Sequence, residues 1–114
     1  MTDNLQITLN GLPQSRALEA RIRERAAKLD RRFGPITSCR VVIEQPHHHS
    51  RQGGQFSVRL LVNVPGAEFV VNHGHDEDVY VAVRGAFDKA RRQLDGYAQK
   101  RDGGGKSGRA ARPA

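Results

Sequence analysis

The chain has 114 residues, the length of a single domain. It carries 19 Lys and Arg against 12 Asp and Glu, a net charge of +7 that favours a polyanionic partner, nucleic acid before an anionic membrane. One cysteine excludes an internal disulfide framework. No apolar run approaches the ~18 residues that span a bilayer, and no signal peptide is visible at the start. We therefore expect a cytoplasmic, bacterial-type protein.

The first half of the chain predicts a strand, a helix and a second strand. Leu5, Ile7 and Leu9 alternate with polar residues, as in a half-buried strand. Ser15 is a suitable N-cap for a helix, in which apolar residues recur every three or four positions: Leu18, Ile22, Ala26, Leu29 and Phe33. Gly34-Pro35 should end this helix, with the glycine in the left-handed conformation. Alternation at Cys39, Val41 and Ile43 then predicts the second strand.

The second half predicts a hairpin and a long helix. After a polar loop over residues 46–54, residues 56–64 alternate most regularly, and Pro65-Gly66 turns the chain into a short fourth strand. Acidic residues 76–78 should start the last helix, with Asp76 as the cap. That helix should end near residue 101, and Gly85 and Gly96 should each cost it about 1 kcal/mol relative to alanine.

The resulting order, β-α-β-β-β-α, predicts an α+β fold with two helices packed on one face of a four-stranded mixed sheet. The first two strands flank a helix and should be parallel through a right-handed crossover, while the other pairs should be antiparallel. We expect one domain over residues 1–101. Residues 102–114 have little to bury and are expected to form a disordered basic tail.

The positive charge belongs to the helices. Residues 15–33 and residues 84–101 each carry a net charge of +4. Helical geometry places four cations of the first helix on one stripe beside its apolar face: Arg21, Arg25, Lys28 and Arg32. In the second helix Lys89, Arg92 and Lys100 share one side, and Arg84 and Arg91 lie on another side near Tyr80. A charged helix face is ordinarily interpreted as a surface exposed to solvent. Because like charges on one stripe repel each other, we interpret the stripes as phosphate-binding, bordering one groove or ridge if the helices lie side by side.

Three short segments carry a family resemblance: Ala27-Lys28-Leu29-Asp30-Arg31, Glu77-Asp78-Val79-Tyr80, and Asp88-Lys89-Ala90-Arg91-Arg92-Gln93-Leu94. With the order of elements, they make the chain resemble the ribosome hibernation-promoting factors, the ribosome-associated inhibitor proteins of the bacterial subunit interface. The resemblance covers about residues 4–101. It implies binding to small-subunit rRNA in the mRNA and tRNA channel, with translation blocked in stationary phase or stress.

The resemblance also implies which residues contact rRNA. By their positions in the matching segments and helices, the resemblance implies rRNA contacts for Arg25, Lys28, Lys89 and Arg92. Tyr80 matches a family tyrosine. Charge and geometry add Arg21, Arg32, Arg91, Lys100 and Arg101. Tyr80 lies at the border of its helix's apolar face, so the sequence leaves core packing and RNA stacking equally open.

The chain departs from the family pattern at several positions. Glu19 stands where a basic residue is common, Val79 replaces a methionine, and Gly85 replaces a larger residue. We see neither the second domain that pairs ribosomes in long members nor the acidic extension of another class. The sequence therefore leaves open whether ribosome dimers are promoted or monosomes are silenced.

Other chemistry has little support in the sequence. His47-His48-His49, His73 and His75 lack the spacing of a structural zinc site, and Cys39 fits a buried small hydrophobe. The acids at 76–78 suit a helix start, and residues 103–107 lack the context of a phosphate-binding loop. We predict no catalysis, no metal, no cofactor and no small-molecule substrate. The alternatives are a general double-stranded RNA-binding module and a protein–protein regulator using the exposed sheet face, with an anionic-membrane binder more distant.

Overall fold

The structure, a computed structural model, describes residues 4–45 and 55–104, with the backbone alone for residues 75 and 101–104. Its elements are β1 (Leu5–Asn10), α1 (Arg16–Phe33), β2 (Ser38–Glu44), β3 (Phe56–Val64), β4 (Ala67–Asp76) and α2 (Val79–Gly104). The predicted element order is confirmed. The histidines at 47–49 and residues 105–114 of the predicted tail lie outside the described residues.

The four strands form one mixed sheet in the order β1-β2-β3-β4. β1 pairs with β2 in parallel, and the other two pairs are antiparallel, as predicted. The register aligns the inward-facing residues in rows across the sheet. One row joins Ile7, Val41, Leu60 and Val71. Three of these four side chains are fully buried and the fourth packs on the core, so a single face of the sheet carries the hydrophobic contacts.

Both helices pack on that face. α1 contacts β1, α2 contacts β3 and β4, and the helices contact each other. The apolar stripe predicted for α1 is buried at Leu18, Ile22, Ala26 and Leu29. The opposite side of the sheet, called here the outer sheet face, carries polar and charged side chains such as Arg40 and Arg59, with Val70 as its most exposed apolar residue.

Ser15 caps α1 as predicted, since its hydroxyl accepts from the amide of Leu18 at 3.2 Å. The prediction for Gly34 was wrong in its conformation: its φ of −36° and ψ of 151° lie outside the left-handed region. A Cβ at Gly34 would lie 2.7 Å from the carbonyl oxygen of Asp30, to which the Gly34 amide donates. Close approach of the chain to the last turn of α1, rather than a positive φ, therefore explains the glycine.

β4 is longer than the short strand that the sequence predicted. It spans ten residues and takes in Asp76, the residue expected to cap the following helix. β4 extends to Asp76 because it pairs with β3 as far as Phe56, with one irregularity between Phe56 and Val58. Asp78 is the actual cap: its carboxylate accepts from the amides of Tyr80 at 2.8 Å and Val81 at 3.3 Å. α2 then runs to Gly104, beyond the end expected near residue 101.

Gly85 of α2 lies directly over an inward-facing residue of β4. His73 ends the row that begins with Leu9, Ile43 and Val58, so its imidazole points towards α2. A Cβ at Gly85 would lie 2.5–2.9 Å from three atoms of this ring. The glycine thus provides the space that the imidazole occupies between sheet and helix.

Candidate nucleic-acid interface

The basic stripe of α1 faces α2. Because the buried residues of α1 fix its orientation on the sheet, the cations at its flank project along the line where the two helices meet. Three of the four predicted stripe residues, Arg25, Lys28 and Arg32, line one open groove. The Nε of Arg25 is buried there and has no hydrogen-bond partner among the described residues.

This interhelical groove has a volume of about 350 Å³ and is lined by Arg25, Lys28, Leu29, Arg32, Phe87, Asp88 and Arg91. Leu29 and Phe87 come from the hydrophobic core and form its apolar floor. Four cations against one carboxylate give the lining a strong positive balance. A phosphate chain is the polyanion whose repeated charges match such a row of cations on two helices.

Near one end of the interhelical groove, an ion triad links the two helices. An Nη of Arg32 lies 3.3 Å from Oδ1 of Asp95, and an Nη of Arg91 lies 3.6 Å from Oδ2 of the same carboxylate. The guanidinium of Arg32 also lies over the ring of Phe33, 5.4 Å from its centroid. Sequence reasoning missed Asp95. The Arg91–Asp95 spacing is visible in the sequence, but Arg32 is 63 residues away.

At the other end of the basic stripe, Arg21 lies beside Tyr80 of α2. The guanidinium of Arg21 is 5.8 Å from the centroid of the Tyr80 ring, and its Nε lies 3.5 Å from a carboxylate oxygen of Glu24. Tyr80 is 38% exposed. This exposure argues against the interpretation that Tyr80 packs in the core. The ring remains accessible to an aromatic or cationic contact.

The side of α2 that carries Lys89, Arg92 and Lys100 does not line the interhelical groove. Lys89 points to the β4 side of α2, where its Nζ donates to the backbone oxygen of Asn72 at 3.1 Å. Arg92 and Lys100 are exposed and do not line the groove. The side chain of Arg101 lies outside what the structure describes. Among the predicted α2 cations whose side chains the structure describes, Arg91 alone lines the groove, because packing turned that side of the helix towards α1.

Groups that sequence reasoning weighed for other chemistry occupy structural positions. Cys39 is buried in the core, and burial raises the pKa of its thiol to about 11. His73 lies 3.6 Å from a carboxylate oxygen of Asp76. Among the side chains that the structure describes, which do not include that of His75, no group of three metal-ligating residues occurs. Neither described helix is long and apolar enough to cross a membrane.

Comparison with known proteins places the chain in a family. The family described as "Sigma 54 modulation protein / S30EA ribosomal protein" matches residues 5–102. The chain belongs to this family, and the resemblance carried by the three short segments is confirmed.

Curated relatives agree with this assignment. The chain is similar to the ribosome hibernation promoting factor of Azotobacter vinelandii, with 31% identity over 98 residues that cover 84% of this chain and 85% of the relative. The protein of the same name from Acinetobacter guillouiae is 29% identical over 97 residues, covering 80% of this chain and 85% of the relative.

Two solved structures share the fold. The N-terminal domain of Thermus thermophilus Protein Y matches with a TM-score of 0.67 and 21% identity, over 82% of this chain and 98% of that domain. A ribosomal subunit interface protein from Coxiella burnetii matches with a TM-score of 0.63 and 24% identity, over 84% of this chain and 98% of that chain.

Proposed function

We propose that this protein is a ribosome hibernation factor that binds rRNA of the small subunit in the mRNA and tRNA path and blocks translation in stationary phase or stress. The interhelical groove is the observation that carries the proposal. It gathers Arg25, Lys28, Arg32 and Arg91 from two helices, and family membership supports rRNA as the polyanion that this basic surface binds. The protein acts in the bacterial cytoplasm.

The mechanism is steric and requires no catalysis or cofactor. Cations along α1 and the facing side of α2 neutralise consecutive phosphates of the rRNA, which positions the folded domain. The exposed ring of Tyr80, beside Arg21, stacks on an unpaired base at the end of the stripe. A domain held in this way fills the space that mRNA and tRNA need. Lys89, Arg92, Lys100 and Arg101 on the remainder of α2 make peripheral phosphate contacts.

Co-sedimentation with purified small ribosomal subunits, at low and high salt, tests this function. The groove variant replaces Arg25, Lys28, Arg32 and Arg91 by glutamine. Since each phosphate contact contributes roughly 0.7–0.9 to the slope of log K against log salt, the groove variant should lose about 3 from that slope and should fail to sediment with subunits at moderate salt.

A matched control removes the same charge elsewhere: Arg23, Arg31, Arg40 and Arg59 become glutamine, on the exposed side of α1 and on the outer sheet face. This control should retain most binding. If the two variants bind equally, net charge rather than the groove decides binding, and the assignment is wrong.

Competition separates the alternative functions. A plain RNA duplex in excess should leave the protein on the subunit, whereas a general double-stranded RNA-binding module would move to the duplex. A protein–protein regulator acting through the outer sheet face would keep its ribosome binding in the groove variant and lose it when that face is altered. Sedimentation of whole ribosomes then shows whether the protein collects in the monosome or the dimer peak.

A further inference from the structure

The carboxylate of Asp95 occupies an anion-binding position between the two helices. Its two oxygens contact guanidinium groups from different elements, Oδ1 with Arg32 of α1 at 3.3 Å and Oδ2 with Arg91 of α2 at 3.6 Å. Both arginines line the interhelical groove, whereas Asp95 stands at its end. Asp95 therefore neutralises part of the charge of Arg32 and Arg91, two of the four cations that line the groove.

We infer that the Arg32–Arg91 pair is a binding site for a single backbone phosphate of RNA, and that Asp95 is an internal competitor which this phosphate displaces. The inference rests on the proposed function, since it names the chemical group bound at one end of the same groove. A phosphodiester presents two oxygens that share one negative charge, as a carboxylate does, and arginine recognises both groups with the same pairs of N–H donors.

The ion triad is weak enough to be displaced. The side chains of Arg32, Arg91 and Asp95 are 55%, 45% and 36% exposed, so water and salt screen the two ion pairs. Each guanidinium has five N–H donors and commits few of them to Asp95. A phosphate that arrives with a fixed RNA backbone can therefore replace a carboxylate on a short, solvent-exposed side chain.

The arginines do not depend on Asp95 for their positions. Arg32 lies over the ring of Phe33, a cation–π contact that keeps the guanidinium at the groove when the carboxylate is removed. Arg91 projects from the middle of α2, one turn after Phe87 of the groove floor. Removal of the negative charge should therefore leave two prepared cations, and RNA affinity should rise rather than fall.

The test compares Asp95→Asn with the unmodified full chain. Binding of a fluorescent single-stranded RNA of twelve nucleotides is followed by anisotropy over a range of KCl concentrations. Removing one negative charge about 5 Å from a bound phosphate should strengthen binding roughly five- to tenfold at low salt. The slope of log K against log salt should become steeper by about 0.7, the contribution of one phosphate on a single strand. Asp95→Ala should behave in the same way.

Two controls isolate the contact. Glu68→Gln removes an equal charge from the exposed part of β4 and should change affinity less than twofold. In a chain that already carries Arg32→Gln and Arg91→Gln, Asp95→Asn should give no comparable gain. Unchanged or weaker binding of Asp95→Asn, or a gain matched by Glu68→Gln, would overturn the inference.

The same variants are then sedimented with small ribosomal subunits. If the unmodified chain binds the RNA but not the subunit, the proposed function fails while the Asp95 comparison on RNA still decides the inference. If the chain binds subunits and Asp95→Asn shows no gain on either ligand, the function stands and the inference fails.

Discussion

Substitution of Gly85 by alanine has two effects of opposite sign on the free energy of unfolding. In an open helix interior this change stabilises a protein by about 0.8–1 kcal/mol, because glycine has the more flexible unfolded chain. At this position the new Cβ would lie 2.5–2.9 Å from three atoms of the His73 imidazole. Overpacking of this kind costs typically 1–3 kcal/mol. The balance predicts a net loss of about 1 kcal/mol, which lowers the Tm of a domain this size by roughly 4–8 °C.

Urea unfolding and thermal melts, both followed by circular dichroism, measure the effect. Gly96→Ala is the matched control in the same helix, since a Cβ placed there would meet no described atom within 4 Å outside the adjacent backbone of α2. Gly96→Ala should stabilise the protein only by the difference in helix propensity between glycine and alanine. In a His73→Ala chain the obstacle is gone, and Gly85→Ala should become stabilising by about 1 kcal/mol. If Gly85→Ala stabilises the unmodified protein as much as Gly96→Ala does, the reasoning about His73 is refuted.

Three further predictions concern the cap, the thiol and the exposed ring. Asp78→Ala removes the acceptor of the first α2 amides and should lower the free energy of unfolding by about 0.5–2 kcal/mol in urea, with Glu77→Ala nearly neutral. Burial raises the pKa of the Cys39 thiol from 9.0 to about 11. The unfolded chain therefore loses this proton first, and stability should fall between pH 9 and 11, less steeply in Cys39→Ala melts. Tyr80→Ala should weaken RNA binding about 5- to 100-fold by anisotropy, at nearly constant Tm, with Tyr80→Phe close to the unmodified chain. Undiminished binding would exclude stacking.

Local patterns in the sequence determined the order of elements and most of the sheet. Alternation at Leu5, Ile7 and Leu9 and helical spacing from Leu18 to Phe33 each arise from one face meeting the core, so they are readable without the fold. The α1 side of the interhelical groove was predictable for the same reason. Once the buried stripe of a helix is known, the side on which Arg25 and Lys28 project is fixed.

The α2 side of the interhelical groove depended on tertiary packing. Helical spacing separates Lys89 from Arg91 on α2, but only the docking of that helix on β3 and β4 decides which of the two faces α1. The Arg32–Asp95 contact joins residues 63 positions apart, and the need for glycine at position 85 comes from an imidazole on another element. These features depend on distances between elements. A pattern along the chain records which face of an element is buried, whereas the neighbour that covers this face is set by how the whole core packs.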